Sequence, residues 1–244
     1  MEAATQAAKE AVVDDDVDAL RVALAAGADP EASYPDPDRL FSAIPLLNLA
    51  ASHGRLGICE LLVAAGANAN SLTVGENLAV PALVSALAGS SDTHIACVRC
   101  LLEAGADPDG QIIASPLTSF ILHAAVLNSK PKALQLLIEK GASLELKSSL
   151  GQTAFHIAVS QGKREFALTL LRAGAVMKVL RRHQIDDTNE ALHDFLADVI
   201  SDGGWAARVQ RHRDRLLGVI SHCVRLPHDV KAAILGFWSP PGGS

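Results

Sequence analysis

Cys97 and Cys100 form a C-x-x-C, the spacing of half a zinc site, and Cys59 and Cys223 complete the chain's four cysteines. A closed tetrahedral site needs a second such pair or paired histidines at matching spacing, and the sequence offers neither. His123 and His156 each sit in an apolar run. A catalytic histidine needs a nucleophile or an acid held beside it. No H-E-x-x-H, G-x-S-x-G or phosphate-cradling glycine loop occurs to supply one. The expectation is a chain with no catalytic residues, no metal site and no cofactor, hence not an enzyme.

The elements carrying these side chains recur. Gly27-Ala28, Gly66-Ala67, Gly105-Ala106, Gly141-Ala142 and Gly174-Ala175 repeat at glycine spacings of 39, 39, 36 and 33 residues. Each pair closes a run of leucine, valine, isoleucine and alanine. A period of roughly 20–50 residues signals stacked supersecondary units, none of which buries its own apolar faces. Apolar residues at i, i+3, i+4 spacing before each glycine predict a buried helix. Glycine just after it suits the left-handed position that ends such a helix. Small residues such as Ala50, Ala51 and Ala158 let a preceding inner helix approach its neighbours closely, and threonine at its start can cap free N–H groups. Aligned on Gly105, Cys97 falls where the second unit has Ile58, and Cys100 where it has Leu61. Cys59 takes a valine-like position in the same way. All three read as core cysteines, small hydrophobes in effect, and Cys97 and Cys100 are expected to be buried and metal-free.

Gly151-Gln152-Thr153-Ala154-Phe155-His156-Ile157-Ala158-Val159-Ser160-Gln161-Gly162 resembles the ankyrin pattern G-x-T-P-L-H-x-A-x-x-x-G, with Ala154 for proline and Phe155 for leucine. Phe166, Ala167, Leu170 and Leu171 follow before Gly174. The second unit keeps the frame from Pro45-Leu46-Leu47-Asn48-Leu49-Ala50-Ala51 through Gly54, Ile58, Cys59, Leu61 and Leu62 to Gly66. The resemblance covers roughly residues 4–176. It implies an all-α ankyrin repeat solenoid of about five helix-turn-helix units, with inner helices lining a concave binding face. It also implies that His156 ties neighbouring loops by hydrogen bonds. His123 lies one place later in its unit and receives no such role. Unit three has four extra residues, around Ser90-Ser91-Asp92-Thr93, expected to lengthen the turn between its helices. Unit four has Asn128-Ser129 where glycine is expected, and Pro131 near the start of its second helix, where proline is tolerated. Unit one lacks the threonine motif, as suits a terminal repeat whose outer face meets water.

Composition narrows the partners. Only 4% of residues are aromatic, which fits alanine- and leucine-lined helices better than a surface for stacking bases. Residues 1–110 hold 5 Lys/Arg against 16 Asp/Glu, a balance of −11, while residues 111–244 stand at +5. Phosphate would meet net negative charge on the first three units, so no nucleic acid is expected. The acidic half is either a solvated face or a field that steers a basic segment of a protein partner. The longest apolar stretch, Leu78 to Ala88, contains Pro81 and Ser85 and is too short to span a bilayer. The opening residues are acidic and lack the order of a secretion signal. A monomer in the cytoplasm or nucleus, away from membranes, is expected.

The partner is expected on exposed turns, which vary without disturbing the stack. Candidate contacts are Tyr34, Asp36, Arg39 and Phe41 on the connector between Gly27 and Pro45, and Leu72, Val74 and Glu76 on the next. Tyr34 and Phe41 can equally pack their own loop. The repeat domain is expected over residues 1–176 and a helical extension over 177–244, beginning with a capping-box pattern at Asp187-Thr188-Asn189-Glu190. That extension reads as a cap on the last repeat and resembles extensions on ankyrin proteins of algae and other protists. Alternatively it is a docking module. Leu226-Pro227-His228-Asp229-Val230 to Ile234-Leu235 resembles the opening of an F-box, which implies a substrate adaptor for ubiquitin ligation. A SOCS box fits worse, because Cys223 stands only four residues before Pro227.

Overall fold

The recurring apolar runs form helices in pairs. In the computed structural model, residues 2–34 and 41–175 are described, with Phe41 described by its backbone alone. The pairs are α1 (Glu2–Asp14) with α2 (Val17–Ala25), α3 (Leu46–Ser52) with α4 (Leu56–Ala64), and α5 (Ala82–Ala86) with α6 (Asp92–Glu103). The fourth is α7 (Ile121–Leu127) with α8 (Pro131–Glu139), and the fifth α9 (Ala154–Ser160) with α10 (Arg164–Ala173). The expected division after residue 176 and the expected helical cap lie outside the described residues.

The closing glycines behave as their position demands. All five have φ between 86° and 104°, a left-handed conformation that costs a residue with a Cβ about 1–2 kcal/mol. The amide of the next alanine then turns back into the helix. Ala67 N donates to Leu62 O at 2.9 Å, and Ala106 N to Leu101 O at 2.9 Å. Three inner helices begin without a threonine cap. The N-cap positions of α3, α5 and α7 are Pro45, Pro81 and Phe120, none of which caps its helix with its own side chain. Instead Leu46, Ala82 and Ile121 donate their amides to Ala32 O, Ser71 O and Gly110 O at 3.0–3.2 Å. The chain entering each finger closes the helix that leaves it.

The all-α expectation is corrected by those fingers. Strands β1 (Ser33–Tyr34), β2 (Phe41–Pro45), β3 (Leu72–Gly75), β4 (Leu78–Pro81), β5 (Gln111–Ala114) and β6 (Leu117–Phe120) form one antiparallel sheet in sequence order. Three fingers supply two strands each, and the pairing passes from one to the next through β2·β3 and β4·β5. The reason lies in length. From closing glycine to next inner helix the chain takes 16 residues in fingers two and three, enough for two four-residue strands, against 13 after Gly141. That fourth, shorter finger forms no hairpin. Ser149 donates its amide to Thr118 O at 2.9 Å and its hydroxyl accepts the Thr118 amide at 3.1 Å, which covers the β6 edge.

The described residues fall into two units, one ending at Ala154 and the other beginning at Phe155. In the first, neighbouring outer helices pack in order, α2 on α4, α4 on α6, α6 on α8, and α3 packs on α5. Leu20, Leu46, Leu47, Ile58, Leu62, Leu83, Leu101, Ile121, Leu134 and Leu137 are wholly buried. In the second, Phe155, Ala158, Phe166, Ala167, Leu170 and Leu171 are buried, and the Lys163 ammonium lies 5.9 Å from the centre of the Phe166 ring.

The insertion in unit three divides between turn and helix. The turn lengthens, as expected, but α6 also grows to 12 residues against 9 for α4 and α8. Both neighbours hold the turn. From unit two's side, His94 Nε2 donates to Ser52 O at 3.2 Å. A Cβ on Gly89 would fall 2.1 Å from that nitrogen and displace the imidazole. From unit four's side, the buried Lys130 ammonium donates to Gly89 O and Ser90 Oγ, both at 2.6 Å, and Lys132 pairs with Asp92 at 2.6 Å. In unit four Ser129 adopts φ 54°, the conformation that Gly54 and Gly162 supply elsewhere, and Pro131 opens α8 at its first turn.

Candidate binding surface on the fingers

Polar side chains at fixed places hold each finger to the helices. Asn48, the third residue of α3, is buried. Its Nδ2 donates to Thr73 Oγ1 at 2.9 Å and reaches Ser71 O and Val80 O at 3.3 Å, while its Oδ1 accepts from Ser71 Oγ at 2.6 Å. The base of finger two is thereby fixed on the helix of the preceding unit. His123 is the third residue of α7. Its Nδ1 accepts the Phe120 amide at 3.2 Å and its Nε2 donates to Gln152 O at 3.0 Å. This corrects the reading that His123 has no structural assignment. Counted back from Gly66, Gly141 and Gly174, Asn48, His123 and His156 hold the same place. Burial holds the His123 imidazole below its usual pKa of 6.5, so it stays neutral, with the backbone bonds from Gln152 and Phe120 opposing in part.

A second ladder runs along the finger bases. Asp29 Oδ1 accepts the amide of Glu31, Asn68 Oδ1 that of Asn70, and Asp107 Oδ1 that of Asp109, each at 2.9 Å. Each unit then reaches the next. Glu31 accepts from the Asn68 amide, Asn70 Oδ1 from the Asp107 amide at 2.7 Å, and Asp109 from the Ser143 amide and hydroxyl at 2.7 and 2.5 Å. Side chains two and four positions after the first three closing glycines thus supply the register of the fingers.

Pairing sorts the finger side chains onto two faces, since residues directly opposite in an antiparallel ladder share a face. Thr73, Val80, Ile112 and Ser119 share the face that meets Asn48 and the inner helices. Leu72 and Val74 lie on the opposite face, 45% and 46% exposed, and Glu76 is exposed at the hairpin tip. Tyr34 is half-buried in β1 opposite Ile44. Phe41 is placed by its backbone opposite Gly75, which sets fingers one and two side by side. Asp36, Arg39 and the Phe41 side chain lie outside the described residues. Sequence reasoning missed Ile113, 40% exposed on the face of Val74, and Leu117, 50% exposed on the inner one. It also missed Leu127 of α7, 46% exposed. The equal distance from Gly66 to Ala82 and from Gly105 to Ile121 was the signal that finger three repeats finger two.

Cys59, Cys97 and Cys100 are free thiols. Cys97 is wholly buried but Cys100 is half-buried, as is its aligned counterpart Leu61, so the expectation for Cys100 is corrected. Cys97 faces Cys59 across α4 and α6, with the two sulfurs 3.8 Å apart. That sulfur contact and burial push the Cys59 thiol up, and burial pushes the Cys100 thiol to about 11. The same sulfur contact draws the Cys97 thiol down, toward the thiolate form that nucleophiles and metal ligands take. Among the described residues no three His, Cys, Asp or Glu side chains gather as a metal site. None of the described helices is long and apolar enough to cross a membrane.

Residues 86–182 match the family described as "Ankyrin repeats (3 copies)". The chain is similar to "Ankyrin repeat and SOCS box protein 11" of Mus musculus, with 38% identity over 78 residues, 32% of this chain and 23% of that protein. The Homo sapiens protein of the same name shows 38% identity over 82 residues, 33% of this chain and 24% of that protein. The chain spans about a quarter of the length of the curated relatives it matches. The matched stretch begins just before α6 and takes in α7 to α10 with the fingers between them.

Proposed function

We propose that this chain is a non-catalytic protein-interaction module, binding its partner through the fingers and the inner-helix face. One observation carries the reading. The finger sheet leaves Leu72, Val74, Ile113 and Leu117 exposed on short hairpins held rigidly by Asn48, His123 and the base ladder. Exposed apolar side chains on a fixed scaffold are what a binding surface requires. The acidic balance of residues 1–110 suits a partner with a basic segment. The protein works as a monomer in the cytoplasm or nucleus and uses no cofactor. Affinity capture with the full chain, followed by Leu72→Ala/Val74→Ala, tests the reading. The partner is lost while the melting temperature holds. Full retention by that variant, and by Leu117→Ala and Leu127→Ala, would remove the fingers and the groove as the site.

A second reading makes the captured protein a substrate for ubiquitin ligation. It draws on the relatives' names, which join ankyrin repeats to a SOCS box, and on the F-box-like Leu226-Pro227-His228-Asp229-Val230 segment, outside the described residues. Cullin-scaffold components that copurify with the full chain, and disappear with Leu226→Ser/Val230→Ser, favour this reading over the first.

A further inference from the structure

Across the finger sheet runs one row of directly opposed residues. Ala43 pairs with Val74, Val74 with Ala79, Ala79 with Ile113, and Ile113 with Thr118. Opposed residues in successive strands share a face, so the row spans five strands, roughly 19 Å at the usual strand spacing. Its relief is uneven. Val74 and Ile113 stand up, 46% and 40% exposed, about 10 Å apart with only the Ala79 methyl between them. Leu72, 45% exposed, extends the same face along β3. The row lies on the side of the sheet away from Thr73, which is buried against Asn48, so it is separate from the inner-helix face.

The two fingers that carry Val74, Ala79 and Ile113 hold charge of one sign. Residues 66–81 and 105–120, the whole of fingers two and three, contain no Lys or Arg but carry Glu76, Asp107 and Asp109. The ion pairs of the described residues join Arg21 to Asp18, Arg55 to Asp15 and Lys132 to Asp92. Glu76 and Asp107 are exposed, Asp109 is half-buried and bound to Ser143, and none of the three joins these ion pairs. An apolar notch between two aliphatic ridges, on fingers that carry acids and no Lys or Arg, matches one kind of occupant. We propose that this outward face docks a basic segment of another protein, which seats one large apolar side chain over Ala79 between Val74 and Ile113 and lays Lys or Arg along the acidic margin. The proposal rests on the protein-binding reading and gives that partner its chemistry.

The test uses the full chain and a fluorescein-labelled peptide with a central leucine flanked by four lysines. Anisotropy is compared with a peptide in which serine replaces the leucine and one in which glutamates replace the lysines. The leucine–lysine peptide binds, both counterparts bind at least tenfold more weakly, and Val74→Ser/Ile113→Ser weakens binding at least tenfold. Glu76→Lys, an exposed change at a hairpin tip, weakens the lysine peptide and strengthens the glutamate one, which keeps the test decisive if the double variant misfolds. Equal binding of the serine peptide, full-strength binding by Val74→Ser/Ile113→Ser, or no binding of any peptide overturns the proposal. Loss on Leu127→Ser alone overturns this docking face and leaves the protein-binding reading standing, because Leu127 belongs to the inner-helix face.

Discussion

Asn48→Leu removes the clamp between α3 and finger two while keeping a side chain of similar size. Four groups contact Asn48. Ser71 O also accepts the Ala82 amide at 3.0 Å and stays satisfied. The Ser71 hydroxyl is only half-buried and can turn to water. The Thr73 hydroxyl, 4% exposed, loses the partner that Asn48 provides. One buried unpaired group costs about 1–3 kcal/mol, and each lost hydrogen bond about 0.5–1.5 kcal/mol. The expected loss is about 2–4 kcal/mol, a large share of a typical 5–15 kcal/mol. At about 2–4 °C per kcal/mol for a chain of this size, the melting temperature falls roughly 5–15 °C. Circular dichroism reads the fall, and amide exchange speeds up over residues 72–81. Two companions sharpen the test. Asn48→His places there the residue found at the matching positions 123 and 156, and stays within about 1 kcal/mol of wild type. Asn48→Leu/Thr73→Val removes both polar partners and recovers part of the loss. A melting temperature unchanged by Asn48→Leu, with residues 72–81 equally protected, would refute the clamp.

Ser129→Gly relieves the left-handed serine at φ 54° and raises stability by about 0.5–1 kcal/mol, the strain removed exceeding the backbone entropy lost; an unchanged or lower melting temperature contradicts it. Stability depends on His123 in a defined direction. Its folded pKa lies below the usual 6.5, so the unfolded chain binds the proton more readily. The protein is fully stabilised above about pH 6.5 and loses stability as pH drops from there toward the folded pKa. His123→Asn therefore shows a smaller fall in melting temperature between pH 7.5 and 5.5 than wild type, and an equal fall would exclude His123 as a source. Leu170→Asp puts an unpaired charge at a wholly buried position and costs about 3–5 kcal/mol, read by urea titration; an unmoved midpoint would reject Leu170 as core.

Periodic features were legible. The closing glycines, the buried leucines and the proline opening α8 each follow from a local rule about one helix and its end. The sheet was not legible, because β2·β3 and β4·β5 join fingers 30 or more residues apart in sequence, and no N-G turn marks the hairpins. Val74 and Leu72 were found as exposed residues, but Ile113 became visible only once Ala79 joined it to Val74. His123 was set one place off in the sequence, although it is the third residue of its inner helix, as Asn48 and His156 are of theirs. The Cys59–Cys97 contact depends on how two outer helices stack, which no spacing within either unit reveals. Ser129 shows the limit from the other side. The sequence marked a missing glycine, and only the backbone showed that serine takes the same conformation.

Amide hydrogen exchange on the full chain, with and without its captured protein partner, tests the central claim most directly. Binding through the fingers and inner helices predicts slowed exchange at 72–80, 111–119 and the inner helices α3, α5 and α7, with little change in α4, α6 and α8. Protection confined to those outer helices, with the finger strands exchanging as in the free protein, would contradict it.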